Sequence, residues 1–151
     1  MKGSRLILLL AILTVGSVCA QTKAASGAKV RFESIDLFVD SGNRPLAAYQ
    51  LEFRATNGGV KIVGIEGGEH PAFVRPPVYD PRAMQGERVI LAAFNTAREA
   101  GLPKGKTRVA TVHVQVSGDA KPEYAVILTA AAAEGGGRIQ AQISLKEKGN
   151  E

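Results

Sequence analysis

Cysteine is almost missing. Cys19 is the one cysteine among 151 residues, so no disulfide can close within the chain. Tryptophan is absent and tyrosine occurs three times, at Tyr49, Tyr79 and Tyr124. Sugar-binding faces usually stack their ligands on Trp and Tyr, so this scarcity argues against a carbohydrate platform. Histidine stands only at His70 and His113, a thin supply for a metal site. No apolar run reaches the roughly 20 residues that a membrane-spanning helix needs. Lys and Arg are scattered rather than clustered, without interleaved aromatics, which excludes a typical nucleic-acid surface.

What is present begins with an address. Lys2 and Arg5 precede an apolar run from Leu6 to Val15, and Val18 and Ala20 fit the −3 and −1 positions of a signal-peptidase site. Residues 1–20 therefore read as a secretory signal peptide cut after Ala20. Cys19 offers the alternative of a lipid-anchored form, but Val18 and Gly16 are not the residues that such sites favour. Cleavage after Ala20 leaves no thiol nucleophile and no cysteine-ligated metal site. Removing Lys2 and Arg5 from the 19 basic residues leaves 17 against 14 acidic ones, a net charge of +3. The expected location is periplasmic or extracellular.

Thr107–Ser117 organises the rest. Ala110, Val112, Val114 and Val116 alternate with Thr111, His113 and Gln115, the period of a half-buried strand. Residues 21–28 read as a flexible leader, 29–146 as the domain and 147–151 as a polar tail. In Val30–Val39 the apolar phase changes between Phe32 and Ile35, which suggests a bulge or a strand that switches sheets. Ala47, Tyr49, Leu51 and Phe53 alternate with polar residues, and Val60–Ile65 is a short apolar strand. Arg88–Asn95 is apolar on both faces and reads as central. Glu123–Ala133 also reads as a strand, with Tyr124, Val126 and Leu128 against Ala125, Ile127 and Ala131. Ile139–Leu145 closes the domain. Gly58-Gly59, Gly67-Gly68 and Gly135-Gly136-Gly137 lack what a phosphate cradle needs and read as hairpin turns. The expectation is an all-β fold: a two-sheet antiparallel jelly-roll sandwich of about eight or nine strands.

Several segments resemble the cohesin family of bacterial extracellular domains. They are Ile35–Val39 with Asp40-Ser41-Gly42, Pro45–Phe53, Arg88–Thr96, Gly105–Val114 and Ile139–Leu145. The resemblance covers about Val30 to Leu145. It implies a jelly-roll related to certain carbohydrate-binding modules, and a role in binding other proteins, dockerin-like ones among them. It assigns no interface residue, because the family's dockerin-binding face does not carry over position by position.

Chemistry is sparse. Glu66, Glu69, His70 and Asp80 are metal-ligand types, but the glycines and prolines around them read as a solvated loop. His113 reads as a surface residue with no Ser/Asp arrangement beside it. Spacing alone supports no carboxylate dyad between Asp36 and Asp40, or between Glu52 and Glu66. No cofactor is expected. Glu69–Gly86 holds Pro71, Pro76, Pro77 and Pro81 and cannot be a central strand. Its Phe73, Val74, Arg75, Val78, Tyr79 and Arg82 are interface-type residues. They read either as a recognition loop or as a cover over the sandwich core. The sequence thus points to an exported, non-enzymatic binding or assembly module whose partner is another envelope or extracellular protein. A carbohydrate-binding module with a polysaccharide ligand is the alternative.

Overall fold

The computed structural model describes residues 29–148. The expected signal peptide, the expected leader up to Ala28 and the end of the expected tail lie outside the described residues. Seven strands form a two-sheet antiparallel sandwich. They are β1 (Val30–Asp40), β2 (Ala48–Ala55), β3 (Gly59–Gly67), β4 (Arg88–Phe94), β5 (Lys106–Ser117), β6 (Tyr124–Ala132) and β7 (Gln142–Lys148). One sheet has the order β3-β5-β1-β7, the other β4-β2-β6. Odd strands lie in one sheet and even strands in the other, so the chain changes sheets at every connection.

β5 sits inside the larger sheet, between β3 and β1. Its valines behave as their alternation requires. Val112, Val114 and Val116 are buried, while His113 and Gln115 are half-buried on the other face. Ile35, Leu37 and Val39 of β1 join them. Tyr49, Leu51 and Phe53 of β2 and Val89 and Leu91 of β4 pack against them from the smaller sheet. Each such burial stabilises by about 1.5–3 kcal/mol. Phe53 stacks on Tyr124 with ring centroids 5.7 Å apart.

Several expectations need correction. The described residues form seven strands where about eight or nine were expected, β1 being continuous. Phe32 simply faces outward, 60% exposed, and the bulge lies further on, at Leu37/Phe38 against β5. β4 is an edge strand, not a central one. Its second apolar row, Ile90 and Phe94, is exposed. Asn57-Gly58-Gly59 closes no hairpin, since β2 and β3 belong to different sheets. The turn arches across the sandwich, with Gly58 at φ +82°. In β6 a register shift at Thr129 moves Ala131 onto the buried side with Tyr124, Val126 and Leu128. The last strand runs from Gln142 to Lys148, so Ile139 precedes it and residues 147 and 148 belong to it rather than to a tail. Gly135-Gly136-Gly137 does turn the chain back. Ala132 bridges Arg138, and the Gly137 carbonyl accepts from the Ala133 N–H at 2.8 Å.

Candidate functional site

The proline-rich segment between β3 and β4 is a strap across one open side of the sandwich. It starts at two glycines that permit backbone contact. A Cβ on Gly67 would lie 2.2 Å from the Val74 carbonyl oxygen, and one on Gly68 would lie 2.2 Å from that of Arg108. Gly68 N–H donates to the Phe73 carbonyl at 2.7 Å. His70 Nδ1 accepts from Ala72 N–H at 3.1 Å and caps a 3-10 turn over Pro71–Phe73. Val78 and Ala92 then exchange hydrogen bonds of 2.7 and 3.0 Å, which ties the strap to the β4 edge. Gln85 N–H donates to the Ile62 carbonyl at 2.9 Å, and Ile62 N–H to Gly86 at 2.8 Å, which ties it to β3. Pro76 and Pro77 have no N–H to donate, so the strap cannot extend along β4 as a further strand.

This anchoring divides the six candidate residues. Phe73 is buried and meets Tyr49 edge-on at 5.3 Å. Tyr79 is half-buried against the core. Both help to cover the core. Val74 and Val78 are exposed, so neither side chain takes part in that cover. Arg82 donates to both carboxylate oxygens of Asp80, which draws the Asp80 pKa below its ordinary value. Arg75 is exposed and has no ion-pair partner among the described residues.

Beside the strap lies the outer face of the smaller sheet. Val78 is 72% and Phe94 73% exposed, and Ile90 lies on the same face. A cleft of about 440 Å³ runs between Arg75 and Phe94. It is continuous at Val78 and Phe94 with a trough of about 410 Å³ floored by Ala48, Ala92, Ala130 and Ala132. Ile90 and Phe94 were missed by the sequence reading. Their signal was the apolar character of both faces of β4, which fits an exposed recognition edge as well as a central strand.

The larger sheet turns a polar face outward. Ser34 Oγ and His113 Nδ1 share a hydrogen bond of 2.9 Å. His113 Nε2 lies 3.1 Å from Glu66 Oε1, but without hydrogen-bond alignment, and that nitrogen is covered from solvent. Their attraction becomes an ion pair only when the imidazole is protonated. Gly64, opposite His113, leaves room for the ring, with carbon contacts beginning at 3.4 Å from where a Cβ would be. So serine and glutamate do flank His113, contrary to the sequence reading. Acyl transfer also needs amide donors aimed at an oxyanion. Ser34 lies in register with His113 on β5 and Lys148 on β7, and strand amides point along the sheet plane rather than above the hydroxyl.

Buried Asp36 accepts from Thr111 Oγ1 at 2.6 Å, and Thr111 Oγ1 accepts from Arg108 at 2.8 Å. Lys148 Nζ stands 3.3 Å from the Asp36 carboxylate. Asp40 instead caps the N–H of Gly42, and Glu52 and Glu66 lie in different sheets, so neither dyad forms. The metal-ligand types are dispersed too. Glu69 accepts from Arg108 N–H, His70 caps its turn and Asp80 holds Arg82. No group of three His, Cys, Asp or Glu side chains gathers to hold a metal among the described residues.

Comparison with protein-family models, with curated proteins and with solved structures finds no match.

Proposed function

We propose that this chain is an exported, non-enzymatic binding or assembly module of cohesin-like type, acting on another protein of the envelope or the extracellular space. Residues 1–20 direct it out of the cytoplasm. The outer face of the smaller sheet, with the adjoining strap, receives the partner. One observation carries this reading: Val78 and Phe94 stand largely exposed on the same face as Ile90. Apolar groups gathered on one surface favour a partner that removes them from water. The opposite face exposes Val30 and Phe32 at one end, but its centre is polar and internally hydrogen-bonded, so it offers less to a partner.

A carbohydrate-binding role has less support. The two largely exposed aromatic rings, Phe32 and Phe94, lie on opposite sheets and cannot stack one sugar chain together.

The test places a photo-crosslinking amino acid at Phe94 and, separately, at Lys61 on the larger sheet, in the producing cell. A discrete protein adduct from Phe94 and none from Lys61 is expected. Equal adducts from both positions, or none from Phe94, would sink the reading.

A further inference from the structure

We infer that the groove from Arg75 past Phe94 to the alanine floor takes an extended, apolar peptide segment that carries a carboxylate at its Arg75 end. This rests on the surface proposed above and names what occupies it.

The floor is mostly alanine in register, with Phe94 at one edge and Gln50 in its middle. Phe94, Ala48 and Ala132 form one row across the three strands, and Ala92, Gln50 and Ala130 the next. Neighbouring strands stand about 4.8 Å apart, so alanines in adjacent rows leave a shallow channel one chain wide. Phe94 and Val78 rise at its rim. The amide of Gln50, the one polar side chain of this floor, donates to Thr129 Oγ1 at 3.1 Å. The floor therefore selects apolar side chains.

Charge sets the direction. Arg75 is the one charged residue lining the cleft and the trough. Arg82 is engaged by Asp80 and Arg88 by Glu52, while Arg75 has no carboxylate partner among the described residues. An unpaired guanidinium at the end of an apolar groove matches a carboxylate on the ligand. One guanidinium in the lining does not suit an anionic membrane, whose recognition uses clusters of about 4–8 Lys or Arg. A second copy of the same face would bring Arg75 no acid, because no carboxylate lines the groove.

The chain has no tryptophan, so a Trp-containing ligand reports its own burial by fluorescence. The probes are a short acetylated Val/Ala peptide with one Trp and a terminal Asp, and its twin ending in Asn amide. Each is titrated to millimolar concentration into the processed, full-length domain. The acidic peptide should bind roughly fivefold tighter, the upper range for a partly exposed ion pair. Arg75→Gln should remove that preference while leaving the neutral twin unchanged. Phe94→Ser should weaken both peptides, with circular dichroism confirming that each variant remains folded.

Equal affinity of the two peptides for the native domain overturns the carboxylate assignment while leaving an apolar binding face. Absence of binding by both overturns the peptide class. The crosslinking result at Phe94 then decides separately whether the surface binds protein at all. Association with phosphatidylglycerol vesicles in place of the peptides, or self-association in sedimentation, also overturns the inference.

Discussion

Phe73 and Val78 lie in the same proline-rich segment and play opposite parts. Phe73 is buried on Tyr49, so Phe73→Ala leaves a cavity and should cost about 3–5 kcal/mol in urea denaturation. Val78→Ser alters only an exposed side chain, keeps the backbone bridge to Ala92 and should stay within about 0.5 kcal/mol. Equal costs would mean that the strap does not cover the core through Phe73. Composition identified both residues as interface types but could not separate them, because an aromatic in a loop serves equally as plug or handle. Tyr49 adds a test at alkaline pH. Burial pushes its phenol pKa up, and its hydroxyl donates to the Val109 carbonyl at 3.0 Å. A raised folded pKa means that this contribution is complete below the ordinary tyrosine value of about 10 and is lost as pH rises above it. Tyrosinate absorbance from Tyr49 should therefore appear together with loss of the β-sheet circular dichroism signal. Ionisation well before unfolding would contradict the burial.

Among the strands, β5 was legible from its alternation and β4 was not. A strand apolar on both faces reads as central when its neighbours are unknown. In β4 the second apolar row instead meets the strap at Val78 and then open solvent. Glu52 on β2 and Arg88 on β4 join across the strands at 2.7 and 2.8 Å, and this pairing holds the Glu52 pKa below its ordinary value. A depressed carboxylate contributes stability that is present above its unfolded pKa, about 4.3, and lost as pH falls through the folded value. Glu52→Gln should therefore reduce the stability difference between neutral and acidic pH, read as denaturation midpoints at each pH. An unchanged acid limb would show that the pair contributes nothing. The register shift at Thr129 explains another misreading. One extra residue reverses the facing of all that follow, and no residue in Ala130–Ala133 marks it.

At the level of the whole molecule, odd and even strands separate into the two sheets, so no consecutive strands pair. Every ladder must close a long loop before it gains contacts. Refolding should take milliseconds to seconds, as in other sandwiches dominated by non-local pairing, and stopped-flow tyrosine fluorescence would measure it. Microsecond refolding would contradict this topology. The hairpins expected at Gly58-Gly59 and Gly67-Gly68 fail for the same reason. A glycine pair permits a turn, but whether the chain returns beside itself or crosses to the facing sheet depends on which strand pairs with which.

The amino-acid order alone determined the class of fold, because period-two alternation in β1, β2 and β5, with almost no helical periodicity elsewhere to cover it, leaves a second sheet as the partner that buries it. It also determined that no disulfide staples the chain and that the proline-rich segment lies outside the ladders. Tertiary structure decided which apolar residues remain in water. Ile90 and Phe94 are as hydrophobic as Val89 and Leu91, and only the packing of the smaller sheet, with β4 at its edge and one face left uncovered, distinguishes the two rows.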